Sequence, residues 1–453
     1  MFSRTTRLSM LIALLAGCAS SDRQDEVISA LTRADEPLLV TRPALVAGKY
    51  ALMASDTYSY YRGTLAVFRH DWESGHLSKS RFDLGDPVWG VGDPHPENFG
   101  LLVAGDGTAA LETNDLDSCD RVPALFDLRR LVAGMALVSK LSNPQASAHD
   151  VAGAAAQGYA AELERLANGG APQRYDNDRG EVVLHDLFKR SARDLAAHAE
   201  LAGLTDGHRR FLRGVIDPAD PTGVQADLPV WLRASLETLV SRFGTRVLDV
   251  VHEYGSGVAS WPRVRLLVLL AGPADDGSDD FIVEVKEEGA SALDGWYAPD
   301  VAVTDAAQRV ESGARRAWFR PDADPRYFTG TWQGFPVQVR TEAEANKGVK
   351  VKRFVDDRAT QQAMNAIAAD LGALLARIHS ATGPGTAARL HAAIDDSAAF
   401  VSEQAAFGDS CSDETLADFA AFGRELTARG PLLGYPATPP QVSSSLAPLF
   451  EAP

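Results

Sequence analysis

A short loop bracketed by prolines constrains this chain more than any other feature of its sequence. It is Gly92-Asp93-Pro94-His95-Pro96-Glu97-Asn98, and it follows an apolar run. The prolines exclude a regular helix, because each one fixes φ and removes a backbone donor. The loop is therefore rigid and holds Asp93 and Asn98 five positions apart. A carboxylate and an amide so placed suit a general base and a ligand of a hard cation such as Mg²⁺, and an Asx-rich structural turn is the alternative.

A second polar group, Asn114-Asp115-Leu116-Asp117, follows some 16 residues after the loop. The apolar runs 101–103 and 109–111 predict a β-hairpin, which would return Asp115 to the side of Asn98. The two carboxylates of this group and the Asn98 amide would then converge. The sequence therefore predicts a divalent-metal site here.

A third group combines a glycine-rich turn with a lysine on a strand. Gly255-Ser256-Gly257 precedes one predicted strand, and Lys286 lies in another, Phe281–Glu287. Backbone amides of such a turn can approach phosphates, and a strand lysine can meet them as a point charge. Taken singly, such turns are usually structural and such lysines are usually solvated. Their adjacency favours a phosphate site.

The periodicity predicts an α+β protein in which a β-rich segment separates two mainly helical ones. The predicted domains are 1–17, 18–42, 43–245 (helical), 246–345 (β-rich) and 346–453 (helical). Helical patterns occur at 127–141, 147–168, 185–243, 303–320 and 361–380, and strand patterns at 263–270, 281–287 and 336–340. At the head of the first of these helices, Asp127 is expected to be an N-cap rather than a metal ligand.

The amino terminus reads as a targeting segment. Residues 1–17 combine a basic start with an apolar run too short to span a bilayer, and they end in Leu15-Ala16-Gly17-Cys18. That ending resembles a bacterial lipobox, in which the cysteine is acylated. The resemblance implies an exported lipoprotein anchored in the lipid bilayer through Cys18, on the periplasmic side of the outer membrane or elsewhere in the envelope. Residues 18–42 are expected to form a tether, and a buried amphipathic helix or a misassigned start is the alternative.

The net charge limits the classes of ligand that the chain can bind, and the cysteine content limits its disulfides. The net charge of −17 argues against broad nucleic-acid binding, which needs clustered cations, but leaves room for small anions in a local cationic pocket. Three cysteines cannot form a disulfide framework. After processing, Cys119 and Cys411 could pair.

Each of these motifs has a counterpart in kinase-like phosphotransferases. Gly92–Asn98 resembles the catalytic loop of aminoglycoside and choline phosphotransferases, and Asn114–Asp117 resembles their metal-binding segment. Asp127-Leu128 resembles their downstream helix start, whose aspartate braces the catalytic loop. Leu371–Ser380 resembles the helix that precedes the loop, and Gly255–Lys286 resembles the nucleotide hairpin with its lysine strand.

The order of the motifs is wrong for an ordinary kinase, because the catalytic and metal loops come first. The order becomes regular if the chain is circularly permuted, with the cut between Ser380 and Gly92. The resemblance therefore implies a two-lobe, kinase-like fold in permuted order, with the small β-rich lobe in the middle of the sequence.

The mature chain also resembles the bacterial domain-of-unknown-function family 2252 over roughly residues 43–420. The resemblance rests on an Arg-Gly near the start, on Gly92–Gly100, on the Asp127–Leu131 helix start, on the glycine turn and on the Val-Lys-Glu strand. Leu116 stands where the family has an aromatic residue, and Ser260 stands where its loop has a third glycine. The second difference weakens the expectation of close phosphate approach.

The resemblance to kinases implies a role for each loop residue. Asp93 would orient the attacking hydroxyl and accept its proton. Asn98 and Asp115, with Asp117 nearby, would hold Mg²⁺ or Mn²⁺ at the phosphates of ATP. His95 would either contact the transferred phosphoryl group or brace the loop.

On the nucleotide side, Gly255, Ser256, Gly257 and Lys286 would contact phosphates. A carboxylate should position the lysine, and Glu311 is the expected one; the neighbouring acids at 287 and 288 are the alternatives.

The resulting hypothesis is an ATP-dependent phosphotransferase acting on an unknown hydroxyl acceptor. One alternative is a non-catalytic, kinase-like envelope lipoprotein that binds a nucleotide, a phosphorylated small molecule or a protein, since ATP is scarce outside the cytoplasm. Another is transfer of a nucleotidyl group by the same scaffold.

Overall fold

Helices make up 52% of the chain and strands 14%, which gives the α+β class expected from the sequence. The structure is a computed structural model. It describes residues 4–176, 182–207, 209–213, 224–254, 257–298, 303–342, 346–356 and 359–450, with the backbone alone at 4–21, 200 and 224–226. The helices are α1 Arg4–Thr41, α2 Pro43–Met53, α3 Thr57–Gly63, α4 Leu65–Ser74, α5 Ala124–Ser142, α6 Ala148–Ala167, α7 Val182–Ala196, α8 Ala199–Leu204, α9 Val230–Val240, α10 Ala306–Ala317, α11 Val351–Asp356, α12 Gln361–Ser380, α13 Thr386–Ala392 and α14 Ser397–Arg429. The strands are β1 Val88–Gly90, β2 Phe99–Val103, β3 Ala109–Thr113, β4 Asp120–Val122, β5 Val224–Asp227, β6 Val247–Tyr254, β7 Arg265–Leu270, β8 Phe281–Glu287, β9 Phe328–Trp332, β10 Phe335–Glu342 and β11 Lys347–Gly348.

Residues cluster into two compact units. The first unit comprises the described residues of 1–76, 257–262 and 414–452, and the second comprises those of 77–256 and 263–413. These boundaries differ from the predicted domains, because the first unit draws on both ends of the chain.

An antiparallel six-stranded sheet forms the β-rich part of the second unit, in the order β5-β6-β7-β8-β10-β9. Strand β7, Arg265–Leu270, is an almost wholly apolar run near the centre of the sheet and is buried along its whole length. The predicted strands at 263–270, 281–287 and 336–340 are confirmed to within two residues. Strands β5, β6 and β9, which the sequence analysis missed, complete the sheet. Strand β5, Val224–Asp227, lies inside the region 185–243 that the sequence predicts to be helical, so that prediction is wrong there.

The helical core of the second unit is built around α6 and α12, which pack closely. A Cβ atom on Gly158 would lie 2.0 Å from the Ala369 carbonyl oxygen, and one on Gly372 would lie 2.0 Å from the Ala155 carbonyl oxygen. These glycines allow the two backbones to approach closely. Helix α12 coincides with the predicted helix 361–380, and it starts at a Thr360 cap.

The first unit has its own apolar core, to which helix α1 contributes. Val27, Leu31 and Leu39 of α1 are at most 1% exposed. The structure therefore corrects the prediction of a tether over 18–42: apolar residues recur at helical spacing beyond residue 26, and that face packs into the unit. The Arg62-Gly63 pair, which is the Arg-Gly of the family resemblance, ends helix α3.

Within the described part of the chain, no helix combines the length and the apolar character that crossing a membrane requires.

Candidate functional site

The proline-bracketed loop connects β1 to β2 and ends in a 3₁₀ turn, Pro96–Asn98. Gly92 has a φ of +82°, and a Cβ atom there would lie 1.9 Å from the Ser118 carbonyl oxygen, so only glycine fits. The His95 backbone N–H donates to the Asp93 carbonyl at 2.8 Å, and the Asn98 N–H donates to the His95 carbonyl at 2.9 Å. These bonds fold the loop back on itself.

The Asp93 side chain forms a buried ion pair with Arg130, which the sequence analysis did not single out. Arg130 Nε donates to Asp93 Oδ1 at 2.7 Å, and the Arg130 side chain is 1% exposed. The Asn98 amide donates to the Asp93 carbonyl at 2.8 Å. His95 Nε2 lies 3.9 Å from Asp93 Oδ2, beyond hydrogen-bond range, and the ring is buried. The sequence could have indicated this pair, because an arginine on the buried face of α5 is a buried cation and requires an acidic partner.

Asp127 lies directly behind the loop. It accepts hydrogen bonds from the backbone N–H groups of Val91 at 2.7 Å and Gly92 at 3.0 Å. His379 Nε2 lies 3.2 Å from the same carboxylate, and Tyr159 Oη lies 2.9 Å from His379 Nδ1. The expected N-cap role is wrong, because Pro123 occupies the N-cap of α5 and the Asp127 carboxylate points to the loop. These are the contacts of a residue that braces the loop.

The predicted hairpin exists and brings the two acidic groups of the sequence together. Strand β2 pairs with β3 from Phe99↔Thr113 to Val103↔Ala109. Directly after β3, the Asn114 N–H donates to the Asn98 carbonyl at 3.0 Å. Asp115 Oδ1 then accepts from the Asp117 N–H at 3.2 Å, which closes a turn.

Lys286 reaches this turn from strand β8. Its side chain is 1% exposed, its Nζ lies 3.4 Å from Asp115 Oδ1, and it makes a shorter ion pair with Asp117. It is therefore not on a solvated face. Desolvation acts to lower the pKa of Lys286, but the charges of Asp115 and Asp117 outweigh it and raise the pKa above its ordinary value. The lysine remains an ammonium ion.

The two aspartates respond differently to this environment. Desolvation acts to raise the pKa of Asp115, but the Lys286 charge prevails and holds that pKa well below its usual range. Desolvation and the adjacent Asp115 charge raise the pKa of Asp117. The two carboxyl groups are thus unequal, because Lys286 favours the charged form of Asp115 and the Asp115 charge in turn disfavours that of Asp117.

A third carboxyl group, Glu288, interacts with the same cluster. The residue is 2% exposed, and its Oε1 atom has no hydrogen-bond partner among the residues that the structure describes. Desolvation, followed by the charge of Asp117, raises the pKa of Glu288 well above its ordinary value. Its neighbour Glu287 is engaged elsewhere, since Glu287 Oε2 accepts from the Val264 N–H at 2.9 Å. Of the two alternative glutamates, Glu288 is therefore the one whose charge acts on Lys286.

Glu311 does not have the contact expected of it. Its carboxylate accepts from Thr329 Oγ1 at 2.6 Å and pairs with Arg315 one turn along α10. The predicted positioning of Lys286 by Glu311 is therefore wrong: the helix was identified correctly, but its periodicity alone did not fix which side faces the lysine.

Arg309 is the α10 side chain that reaches the acidic turn, and the sequence analysis missed it. One of its terminal nitrogens donates to the carbonyls of Asp117 and Cys119 at 2.8 Å each, and the other donates to the Gly289 carbonyl at 2.9 Å. The helix is thereby fixed to both the acidic turn and the end of β8.

The glycine turn is described only in part. Gly255 and Ser256 lie outside the described residues, whereas Gly257 has a φ of +80°. Residues 257–262 belong to the first unit, where Val258 joins the apolar core and Trp261 packs against Gly48.

No three His, Cys, Asp or Glu side chains in the described ranges are placed to hold a metal ion by themselves. The Cys119 and Cys411 side chains are buried, and no disulfide joins them. A cavity of about 540 Å³ lies elsewhere in the second unit, beside Phe281, Asp324 and Arg326, and none of the described site residues lines it.

The fold and the site together define an α+β protein with a buried lysine–carboxylate cluster beside a glycine–aspartate loop. The chain belongs to the family described as "Uncharacterized protein conserved in bacteria (DUF2252)", whose model matches residues 41–425. Comparisons with curated proteins and with solved structures gave no significant match.

Proposed function

We propose that this protein is a nucleotide-dependent phosphotransferase, with ATP as donor and a hydroxyl group as acceptor. The observation that carries the proposal is the contact of Lys286 with Asp115 and Asp117 in a buried site. A buried ammonium beside two carboxylates provides both a contact for phosphate oxygens and ligands for the cation that accompanies them.

Three features support a kinase-like fold in circularly permuted order. Lys286 is on β8, the third consecutive strand of its sheet from β6, as the kinase lysine is on the third strand. A helix, α10, follows that strand. The Trp89 N–H also donates to Thr382 Oγ1 at 2.8 Å, so the end of α12 meets the strand that leads into the loop. That junction is the one at which the permuted chain would be cut.

In this proposal Asp93 is the base that receives the proton of the acceptor hydroxyl. Arg130 holds one oxygen of the carboxylate at 2.7 Å, and Asn98 holds the Asp93 backbone. Both contacts orient the group before substrate binds. Phosphoryl transfer depends chiefly on such positioning and on neutralisation of charge.

The acidic turn fits a divalent cation. Three carboxyl groups (Asp115, Asp117 and Glu288) interact with the Lys286 ammonium, and within the described part of the chain Glu288 Oε1 has no hydrogen-bond partner. Mg²⁺ commonly takes only one or two protein carboxylates and completes its shell with phosphates and water. Asp115, Asp117 and Asn98 would hold the ion, which when bound supplies charge neutralisation at the phosphates. Lys286 then serves the phosphates as a point charge.

A second candidate is a kinase-like protein that binds a ligand without transferring phosphate. The packing of Val258 and Trp261 into the first unit favours it, because residues buried in an apolar core are not open to a nucleotide. An Asp93→Asn variant separates the two candidates. Loss of phosphate transfer with retained nucleotide binding supports the enzyme, and an unchanged function supports the binding protein.

We also propose that the protein is exported and anchored in the envelope through acylated Cys18. The lipobox-like ending at residues 15–18 supports this proposal. Mass spectrometry of membrane fractions from cells producing the full chain would test it. The expected product begins at residue 18 and carries fatty acyl groups, and a Cys18→Ser variant should lack them.

The decisive experiment is nucleotide-dependent thermal unfolding of the full chain in detergent, with ATP, GTP and AMP, with and without Mg²⁺ or Mn²⁺. A ligand at 100 times its Kd stabilises by about 2.7 kcal/mol, which corresponds to several degrees. The metal-dependent shift should disappear in Asp115→Asn and Lys286→Ala. Glu311→Gln is the matched control, because that carboxylate does not contact Lys286. Absence of a shift with every nucleotide would contradict the proposal.

A further inference from the structure

A cationic segment runs beside the proline-bracketed loop. The basic segment, Lys347-Gly348-Val349-Lys350-Val351-Lys352-Arg353, carries four cations in seven residues, whereas the whole chain has a net charge of −17. A run of like charge on the surface of a protein of opposite charge creates a local potential that attracts counter-ions. The proposed reaction gives these residues no role.

The segment is fixed to the loop through its backbone. Strand β11, at its start, pairs antiparallel with β2. The Val349 N–H donates to the Phe99 carbonyl at 2.8 Å, and the Val351 N–H donates to Glu97 Oε1 at 3.0 Å. These partners flank Asn98, whose amide holds Asp93. The basic segment therefore has a defined position next to the proposed catalytic loop.

Its charged side chains face solvent. Lys350 is 55% exposed, and its Nζ lies 3.7 Å from Glu97 Oε2, so it is only loosely paired. Lys352 and Arg353 are exposed as well. Lys347 alone is engaged more closely, with Asp194 at 3.1 Å. Three cations are thus available to a ligand at the edge of the loop.

This arrangement explains the contacts that Glu97 makes with the basic segment. It lies within the loop, between the proposed base and the proposed metal ligand, and both of its oxygens are directed to the basic segment. A carboxylate in that position would repel an anionic substrate unless it were covered. The Val351 N–H and the Lys350 ammonium cover it.

We propose that the basic segment binds an anionic group of the acceptor, so that the substrate class is a hydroxyl compound bearing a phosphate or carboxylate. The inference rests on the proposed phosphotransferase function. It differs from the nucleotide site, which is built on Lys286 in the β-rich part of the second unit. Three cations within four residues suit a small anion that bridges more than one of them.

Titration calorimetry with inorganic phosphate as the probe tests the inference on the full chain in detergent. The variant Lys350→Ala/Lys352→Ala/Arg353→Ala removes the exposed cations. Lys79→Ala/Lys189→Ala/Arg424→Ala is the matched control, because it removes two exposed lysines and one exposed arginine elsewhere. Nucleotide-dependent unfolding is measured in parallel on each protein.

The expected result is a phosphate affinity at least tenfold weaker in the segment variant, with the control variant unchanged, since charge-assisted contacts of this kind exceed the free energy of one decade. The ATP-dependent shift should persist in both variants. A charge-conserving variant, Lys350→Arg/Lys352→Arg/Arg353→Lys, should retain the affinity and so exclude misfolding.

Three outcomes would overturn the inference: no phosphate binding by the wild-type protein, undiminished binding by the segment variant, or parallel loss of phosphate and ATP binding in that variant. The last would assign the segment to the nucleotide. Phosphate binding that depends on the segment without any ATP-dependent shift would contradict the proposed function and leave the anion site standing.

Discussion

Arg130 Nε lies 2.7 Å from Asp93 Oδ1, and both side chains are buried. The relationship joins the only aspartate inside the proline-bracketed loop to the middle of helix α5. An ion pair out of reach of solvent has a fixed geometry, because no water competes for either partner. The position of Asp93 is therefore set by the helical core, not by the loop alone.

Arg130→Gln should destabilise the protein by about 3–5 kcal/mol, because it leaves the Asp93 carboxylate buried without its cation. Urea unfolding at pH 7 measures the change. In the double variant Asp93→Asn/Arg130→Gln the loss should be smaller, since no unpaired charge remains. Equal losses in the single and double variants would contradict the ion pair as the cause.

Gly92→Ala should be strongly destabilising, whereas Gly107→Ala should cost only about 1 kcal/mol. The two glycines have nearly equal φ angles, +82° and +81°. They differ in surroundings: a Cβ on Gly92 would meet the Ser118 carbonyl, while nothing lies within 4 Å of one on Gly107. Comparing their urea midpoints separates steric conflict from backbone conformation, and similar midpoints would refute the close approach at Gly92.

Asp127→Ala should cost about 2–5 kcal/mol, because it leaves the buried N–H groups of Val91 and Gly92 unsatisfied. Tyr159→Phe removes only the outermost hydrogen bond of the same chain and should cost about 1 kcal/mol. Chemical denaturation of both variants gives the comparison. A Tyr159→Phe loss as large as that of Asp127→Ala would mean that the brace depends on the tyrosine.

Glu288→Gln should change how stability depends on pH. The raised pKa means that the folded protein retains this proton above the ordinary value of 4.5, where the unfolded chain releases it. The free energy of unfolding of the wild type therefore falls as pH rises above about 4.5. The Glu288→Gln variant lacks this fall. Its free energy of unfolding, relative to that of the wild type, should therefore increase from pH 5 to pH 8, and below pH 4.5 the variant should not be more stable than the wild type.

Unfolding curves at several pH values, measured with a chelator to exclude bound cations, test this expectation. Glu311→Gln again provides the control, because desolvation opposes but does not outweigh the hydrogen bond from Thr329, and the pKa of Glu311 is lowered. Its replacement should remove stability above pH 4.5 instead of adding it.

The sequence predicted helices and strands well where the apolar residues followed one regular spacing. Helix α12 was predicted from apolar residues at spacings of three and four, and β8 from its alternation and β-branched residues. The hairpin of β2 and β3 followed from two apolar runs around a glycine-containing turn, and it places the backbone of Asn114 within hydrogen-bond distance of Asn98. Strand β9 was missed because Phe328–Trp332 is short, half-exposed and mixed in composition.

The sequence could not show which side chains of distant segments contact each other. Which glutamate approaches Lys286 depends on the rotation of α10 against the sheet, and the structure turns Arg309 inward and Glu311 aside. The prediction of a tether failed for a related reason. The polar stretch 19–26 was considered without the apolar positions that follow it, which pack against residues from the other end of the chain.

The brace behind the loop also has a consequence for how the protein is made. His379 is about 290 residues farther along the chain than the Val91–Gly92 amides to which it connects through Asp127. At typical synthesis rates a ribosome needs roughly 15–60 s to cover that interval. Throughout that time the loop and Asp127 are without the His379 contact that completes the brace. The complete brace can form only late in synthesis or afterwards, so a chain truncated before residue 379 should lack the contacts of His379 with Asp127 and Tyr159.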